Sequence, residues 1–419
     1  MATDRRRATR PKPPLEYSLL YTATLCLLAA GAVMVYSASS AESLLTTGDS
    51  SYFLKKYLLF GALGLGLMHV LSRHGLKAVK EATPLLLFGS IGLTLAVMVP
   101  GIGITVNGAQ RWLGAGPVQF QPSELLKISL VLYAAQLLAA KPARMKRLKT
   151  LVRPLLLVVA VSCGLLLKEP DMGTAIVVCL AMGALLFAAG VPLRHIATIA
   201  GVLVFLAVVF AIAAPYRRQR LLSFMHPWQD QAGAGFQTVQ SMIAIGSGGF
   251  FGVGLGESVQ KIFYLPEAHT DMILAIIGEE LGLIGITAVA ALYGMIAWAG
   301  LRAAKLAKDR YAKLLAVGIT SIILCQASLN FFAVMGLAPL TGVPLPFISY
   351  GNSNLIVLLG GMGLLLNVAA TGGRARAASP GRLRAIDGGK GPRAASGDSR
   401  GRDGRPRRAG ARGRGRAAG

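Results

Sequence analysis

A chain of 419 residues that is 54% hydrophobic and only 15% charged, with a mean hydropathy of +0.58, is too apolar for a soluble globular domain. Its net charge of +25 invites a nucleic-acid reading, but much of that charge sits in the last 49 residues. There, a Gly/Ala/Arg/Pro stretch of net +11 has no aromatic side chain to stack a base, which argues against nucleic acid and for an acidic or anionic-lipid partner.

Residues 1–16 are basic and Pro-rich and read as disordered, without the cleavage pattern of a signal peptide. Ten apolar runs follow: Tyr17–Ala38, Tyr52–Leu71, Thr83–Val99, Pro122–Ala140, Val152–Leu167, Met172–Gly190, His195–Ala214, Met272–Leu301, Tyr311–Leu337 and Asn354–Ala370. Each approaches the roughly 20 residues needed to cross a bilayer, so the expected fold is an all-α polytopic membrane protein of about ten transmembrane helices. Basic residues fill alternate connections, among them Arg73, Lys77 and Lys80, then Arg144 to Lys149, then Arg302 to Arg310. By the positive-inside rule those connections and both termini are cytoplasmic. The transmembrane domain is thus expected over 17–370, with a large extracellular loop at 215–270 between helices 7 and 8. A disordered basic cytoplasmic tail is expected over 371–419.

Cys26, Cys163, Cys179 and Cys325 all lie in apolar runs and read as packing residues, since neither zinc spacing nor a disulfide framework is present. The glycine run Gly246–Gly256 follows no parallel-strand pattern, so it is read as a loop that folds back near the bilayer surface. Arg217, Arg218 and Arg220 open the external loop against the charge rule, either as ordinary loop cations or as groups that face phosphate.

Ionisable residues at membrane depth are costly and point to function. In Gln121-Pro122-Ser123-Glu124-Leu125-Leu126-Lys127, helix capping explains Pro122, Ser123 and Glu124 but not Lys127, which at i+3 from Glu124 can form an internal ion pair facing a cavity. Lys168-Glu169-Pro170-Asp171 reads as an external turn, with Asp171 capping the next helix. In Tyr264-Leu265-Pro266-Glu267-Ala268-His269-Thr270-Asp271, His269 and Asp271 fall at the membrane boundary, and Thr270 or Asp271 alone reads as a helix cap. Glu279 and Glu280 enter the span beyond and need partners or protons.

These segments, with Asn107 to Leu113, Glu169 to Ala175 and Thr341 to Gly351, resemble the SEDS family (shape, elongation, division and sporulation proteins). The resemblance extends over about Tyr17 to Ala370. The wording of Tyr264–Asp271 and the basic tail look more like the division branch than the elongation branch. Two positions depart from the family pattern: Gly351-Asn352-Ser353-Asn354, where Gly-Gly-Ser-Ser is usual, and Gln119, where several relatives carry a basic residue.

The resemblance implies a peptidoglycan glycosyltransferase that polymerises lipid II on the outer face of the bacterial cytoplasmic membrane, at the septum, with Asp271 as its essential carboxylate. Chemistry is consistent with one carboxylate: lipid pyrophosphate is already a good leaving group, so the remaining task is a general base for the acceptor hydroxyl. The pyrophosphate charge calls for cations. Lys127, held by Glu124, is the first candidate, with Arg111 and Arg217 behind it and His269 beside the base. No ligand cluster demands a metal, although Mg or Mn is compatible with a pyrophosphate leaving group. The implied partners are a class B penicillin-binding protein and division proteins, with the acidic tail of FtsZ as a match for the basic tail. A lipid II flippase and a non-catalytic division scaffold are the alternative readings.

Overall fold

The computed structural model describes residues 13–377 except 107, 116–117, 141, 143–151, 213–223, 234 and 263. The chain is built from long helices: α1 (Leu15–Thr47), α2 (Tyr52–Val97), α3 (Pro122–Ala140), α4 (Leu157–Lys168), α5 (Met172–Ala189), α6 (Leu193–Ile212), α7 (Phe236–Gly248), α8 (Ile273–Lys305), α9 (Arg310–Val334) and α10 (Asn352–Ala377). Among the described residues, seven helices are long and apolar enough to cross a bilayer. The shorter apolar stretches Pro154–Lys168 and Leu193–Val209 coincide with two further predicted runs. The expected helical membrane fold is therefore observed. Many large apolar side chains face outward, among them Phe88, Phe187 and Phe205, as a lipid environment permits and water does not.

One expected connection is absent. The segment carrying Arg73, Lys77 and Lys80 is helical, so the second and third apolar runs share α2. At 46 residues α2 has a path of about 69 Å, over twice the hydrocarbon thickness. Its start lies beside His269 and Tyr350, against which Phe53 packs. Further along, the Leu71 and Ser72 carbonyls accept from Asn367, fifteen residues into α10. Its C-terminal end leads to a sheet whose Arg111 reaches the turn before α5, so the two halves of α2 serve as the outgoing and returning runs. Pro84, which has no N–H to donate, lies in the returning half.

To the helical fold the connection before α3 adds a small element: β1 (Gly103–Val106), β2 (Ala109–Ala115) and β3 (Val118–Phe120) form an antiparallel sheet of order β1-β2-β3. Val106 pairs with Ala109, and Gly108 ahead of that pairing has a φ of +74°. Asn-Gly is the sequence signature of a two-residue hairpin turn.

The long loop is partly structured: α7 packs on α8 and α9. The glycine run beyond it folds back along α8, against the stretch from Glu279 to Ile284. The cause is a break in α8 at Gly282, whose φ of +65° and ψ of −160° are non-helical. A side chain there would also overlap the Phe250 carbonyl, so only glycine fits. Backbone groups at the break pair with the loop: Val253 and Gly254 N–H donate to the Glu279 and Glu280 carbonyls, while Leu283 and Ile284 N–H donate to the Gly249 and Phe250 carbonyls. Irregular backbone at membrane depth requires that pairing. Glu279 and Glu280 fasten the same loop. Glu279 accepts from Ser258 and from the Val259 N–H, and Glu280 forms a buried ion pair with Lys261 at 2.8 Å, beside Ser37.

Candidate active site

Four sequence motifs converge at the end of the bundle where α3, α5, α8 and α10 begin. Pro122 opens α3, and Glu124 and Lys127 project from its first turns into the core, 2% and 1% exposed. Lys127 Nζ lies 3.0 and 2.9 Å from the two Glu124 oxygens and donates to Gln326 Oε1 at 3.0 Å. Asn354 donates to the other side of the Glu124 carboxylate at 2.9 Å, and the Gln121 N–H donates to Ser353 Oγ. The unusual Asn352-Ser353-Asn354 sequence thus supplies part of the cage around the ion pair. Lys127 faces this cage rather than an open cavity, which differs from its expected role as a direct phosphate cation.

Asp171 accepts from the Thr174 N–H at 3.1 Å as an N-cap, and also from Ser123 and Gln121, tying α5 to α3. Two residues on, Gly173 touches the segment that returns from α9 to α10: a Cβ there would come within 2.6 Å of the Thr341 carbonyl. Arg111, on β2, donates from Nε to the Glu169 carbonyl at 2.9 Å and from the guanidinium end to Pro170. It clamps the turn in which Pro170 takes a φ of +30°.

Glu169 itself is 2% exposed, and both of its carboxylate oxygens are buried without a hydrogen-bond partner. Burial, reinforced by Asp171 and opposed by Arg111, pushes its carboxyl up to about 8 from 4.5. The folded chain therefore keeps a proton that the unfolded chain releases, and stability falls as pH rises from about 4.5 to about 8. Glu169→Gln is expected to flatten that fall, read as melting temperature against pH in detergent; an unchanged slope would contradict it.

The return segment Thr341–Gly351 has no regular secondary structure, turns at Pro346–Ser349, is buried over Leu345–Ser349 and is pinned along its length. Tyr57 donates to the Phe347 carbonyl, Tyr293 to Pro346, Gln326 to Pro344 at 2.9 Å and Asn330 to Val343 at 2.9 Å. Across from it lies the His269–Asp271 turn. The Tyr350 N–H donates to the His269 carbonyl, and Asn330 Nδ2 donates to the Asp271 carbonyl at 2.6 Å. The His269 ring packs between Phe53 and Tyr350, with Nδ1 3.4 Å from Glu42 Oε2 at an angle that makes no hydrogen bond. The Asp271 carboxylate is half-buried; Thr270 Oγ1 lies 3.3 Å from its Oδ1, and its Oδ2 faces the open side of Gly342. α8 starts only at Ile273, with Met272 at the cap position, so neither Thr270 nor Asp271 caps it.

Glu124, Lys127, His269 and Asp271 therefore belong to one polar assembly, Arg111 supports its rim, and Arg217 lies outside the described residues. Sequence reading missed Gln326 and Asn330, and marked Asn354 only as part of a departure from the family pattern. The signal for the first two was present: two amides at i, i+4 within an apolar span.

The fold and this assembly define a polytopic membrane protein with a buried polar centre at one end of its helix bundle. The chain belongs to the FtsW, RodA and SpoVE family, described as "Cell cycle protein", whose profile matches residues 17–372. The SEDS resemblance is thereby borne out. The chain is 42% identical over 339 residues to a probable peptidoglycan glycosyltransferase FtsW of Geobacter sulfurreducens, covering 81% of this chain and 91% of that one. It is 38% identical over 351 residues to the stage V sporulation protein E of Bacillus subtilis, covering 84% and 96%. Among solved structures it matches a chain of a peptidoglycan synthase complex that coordinates polymerization and crosslinking, with a TM-score of 0.70, 30% identity and coverage of 84% and 97%. It also matches the rod shape determining protein RodA of Thermus thermophilus, with a TM-score of 0.59, 27% identity and coverage of 84% and 95%.

Proposed function

We propose that this chain is a peptidoglycan glycosyltransferase that polymerises lipid II on the outer face of the cytoplasmic membrane during septal wall synthesis. Asp271 is the general base. The observation that carries the reading is the Asp271 turn: a half-buried carboxylate held by its backbone against the return segment, where the family's ordered motifs meet. The base removes the acceptor hydroxyl proton as that oxygen attacks the anomeric carbon, and lipid pyrophosphate leaves in the same step. Lys127 stabilises the site from its cage; Arg111 shapes the rim by holding the Glu169–Pro170 turn.

Among the described residues, no three His, Cys, Asp or Glu side chains stand together as a metal cage, so the protein offers Mg or Mn no dedicated site there. A divalent ion would enter as a companion of the pyrophosphate. The related synthase complex that both polymerises and cross-links supports a class B penicillin-binding protein as partner. Recruitment by an acidic FtsZ tail would rest on residues 378–419, which lie outside the described residues.

Purified protein in proteoliposomes, with lipid II supplied on the outer side, tests the reading. Glycan strands should form without any translocation of lipid II. Translocation without strands would establish the flippase reading instead.

A further inference from the structure

Gln326 and Asn330 are both buried, at 0% and 2% exposure, and stand one helical turn apart on α9, within a span that is otherwise largely apolar. Each uses its amide to bridge two groups that make no bond to each other in the structure. The Gln326 Oε1 accepts from Lys127, a donor only, and its Nε2 donates to the Pro344 carbonyl, an acceptor only. Those two partners fix the amide orientation. Asn330 spends its NH₂ on the Val343 and Asp271 carbonyls, while its Oδ1 stays buried without a partner. One connected path results: hydrogen bonds link Asn354, Glu124, Lys127, Gln326 and the Pro344 carbonyl, the covalent backbone continues to Val343, and Asn330 joins the Val343 carbonyl to that of Asp271.

We propose that Gln326 and Asn330 are positioning residues, which hold the Asp271 turn in register with the return segment and couple it to the Glu124–Lys127 pair. This rests on Asp271 being the base. The path reaches the Asp271 carbonyl rather than its carboxylate, so it sets where the carboxylate stands and leaves its proton chemistry to the substrate. No apolar residue can substitute at Asn330, because two buried carbonyls would lose their donor. An Asp there would set negative oxygens against both. At position 326, Glu preserves the Lys127 contact but removes the donor to Pro344. Misplacing a catalytic group by about 1 Å costs on the order of 100-fold in rate.

The test uses full-length protein with its cross-linking partner and lipid II, comparing Asn330→Asp, Gln326→Glu and Asp271→Asn with wild type. Asn330→Asp should lower kcat by about 100-fold with KM within about twofold. It should also raise the acid limb of the pH–rate profile, because a carboxylate at position 330 disfavours ionisation of Asp271. Gln326→Glu should lower kcat in the same way with the acid limb less displaced. If Asn330→Asp fails to fold, Gln326→Glu decides. Wild-type kcat in the folded variants, beside an inactive Asp271→Asn, would overturn the positioning role while sparing the base. A fully active Asp271→Asn would instead remove the base assignment.

Discussion

Asp271→Asn is expected to lower the rate of strand formation by about 10²–10⁴-fold, the range that a positioned general base supplies. The amide is nearly isosteric and can still take the hydrogen bond from Thr270, so lipid II binding and KM should change little. That pattern, a kcat loss without a KM loss, marks an interaction made only in the transition state. A simple steric defect would raise KM as well. Asp271→Glu keeps the carboxylate but displaces it by one methylene, so it should retain part of the activity. Lipid II polymerisation by purified protein, followed as product against substrate concentration, measures both constants.

Glu124→Ala is expected to destabilise the fold by about 3–5 kcal/mol, because it strands the Lys127 ammonium in a cage that is 1% exposed. Among the described residues Gln326 would remain as its acceptor, and a neutral oxygen does not balance a buried charge. The double replacement Glu124→Leu, Lys127→Met removes both charges together and should recover most of that stability. Activity should not recover with it, since Gln326 would lose the donor that orients its amide. Melting in detergent, run beside the polymerisation assay, separates these outcomes. A Glu124→Ala protein as stable as wild type would mean that the pair is not buried in the folded state.

Much of the architecture was legible because apolar run length and the alternation of basic connections depend only on the bilayer. The motif segments were legible for a related reason: charge at membrane depth has few explanations. What escaped was set by long-range packing. Nothing local to residues 72–82 distinguishes a turn from the continuation of α2, since these residues are good helix formers with cations that suit either. The glycine run reads from sequence as a loop that folds back, but its partner, the break at Gly282, lies some thirty residues away and carries no local signal. The sheet at 103–120 was within reach: Asn107-Gly108 between Ile/Thr/Val and Gln/Arg/Trp stretches is a hairpin signal, outweighed by the helical character of the rest.

The site divides in the same way. Asp271, Glu124 and Lys127 could be named from sequence, but the sequence does not say which groups touch substrate. Lys127 was expected to meet phosphate; in the structure its donors serve Glu124 and Gln326, and its influence on Asp271 passes through neutral amides. Asn354, which departs from the family pattern, turns out to hold Glu124 rather than to disturb the site.

The central claim is that Asp271 takes a proton from the acceptor and never bonds to the donor sugar. A single displacement inverts the anomeric carbon, whereas a covalent glycosyl-enzyme followed by a second displacement retains it. The deciding measurement is the anomeric configuration of the newly formed bond, determined by NMR on strands made from labelled lipid II. Configuration opposite to that of the donor is predicted; retention would contradict the account and make Asp271 a nucleophile.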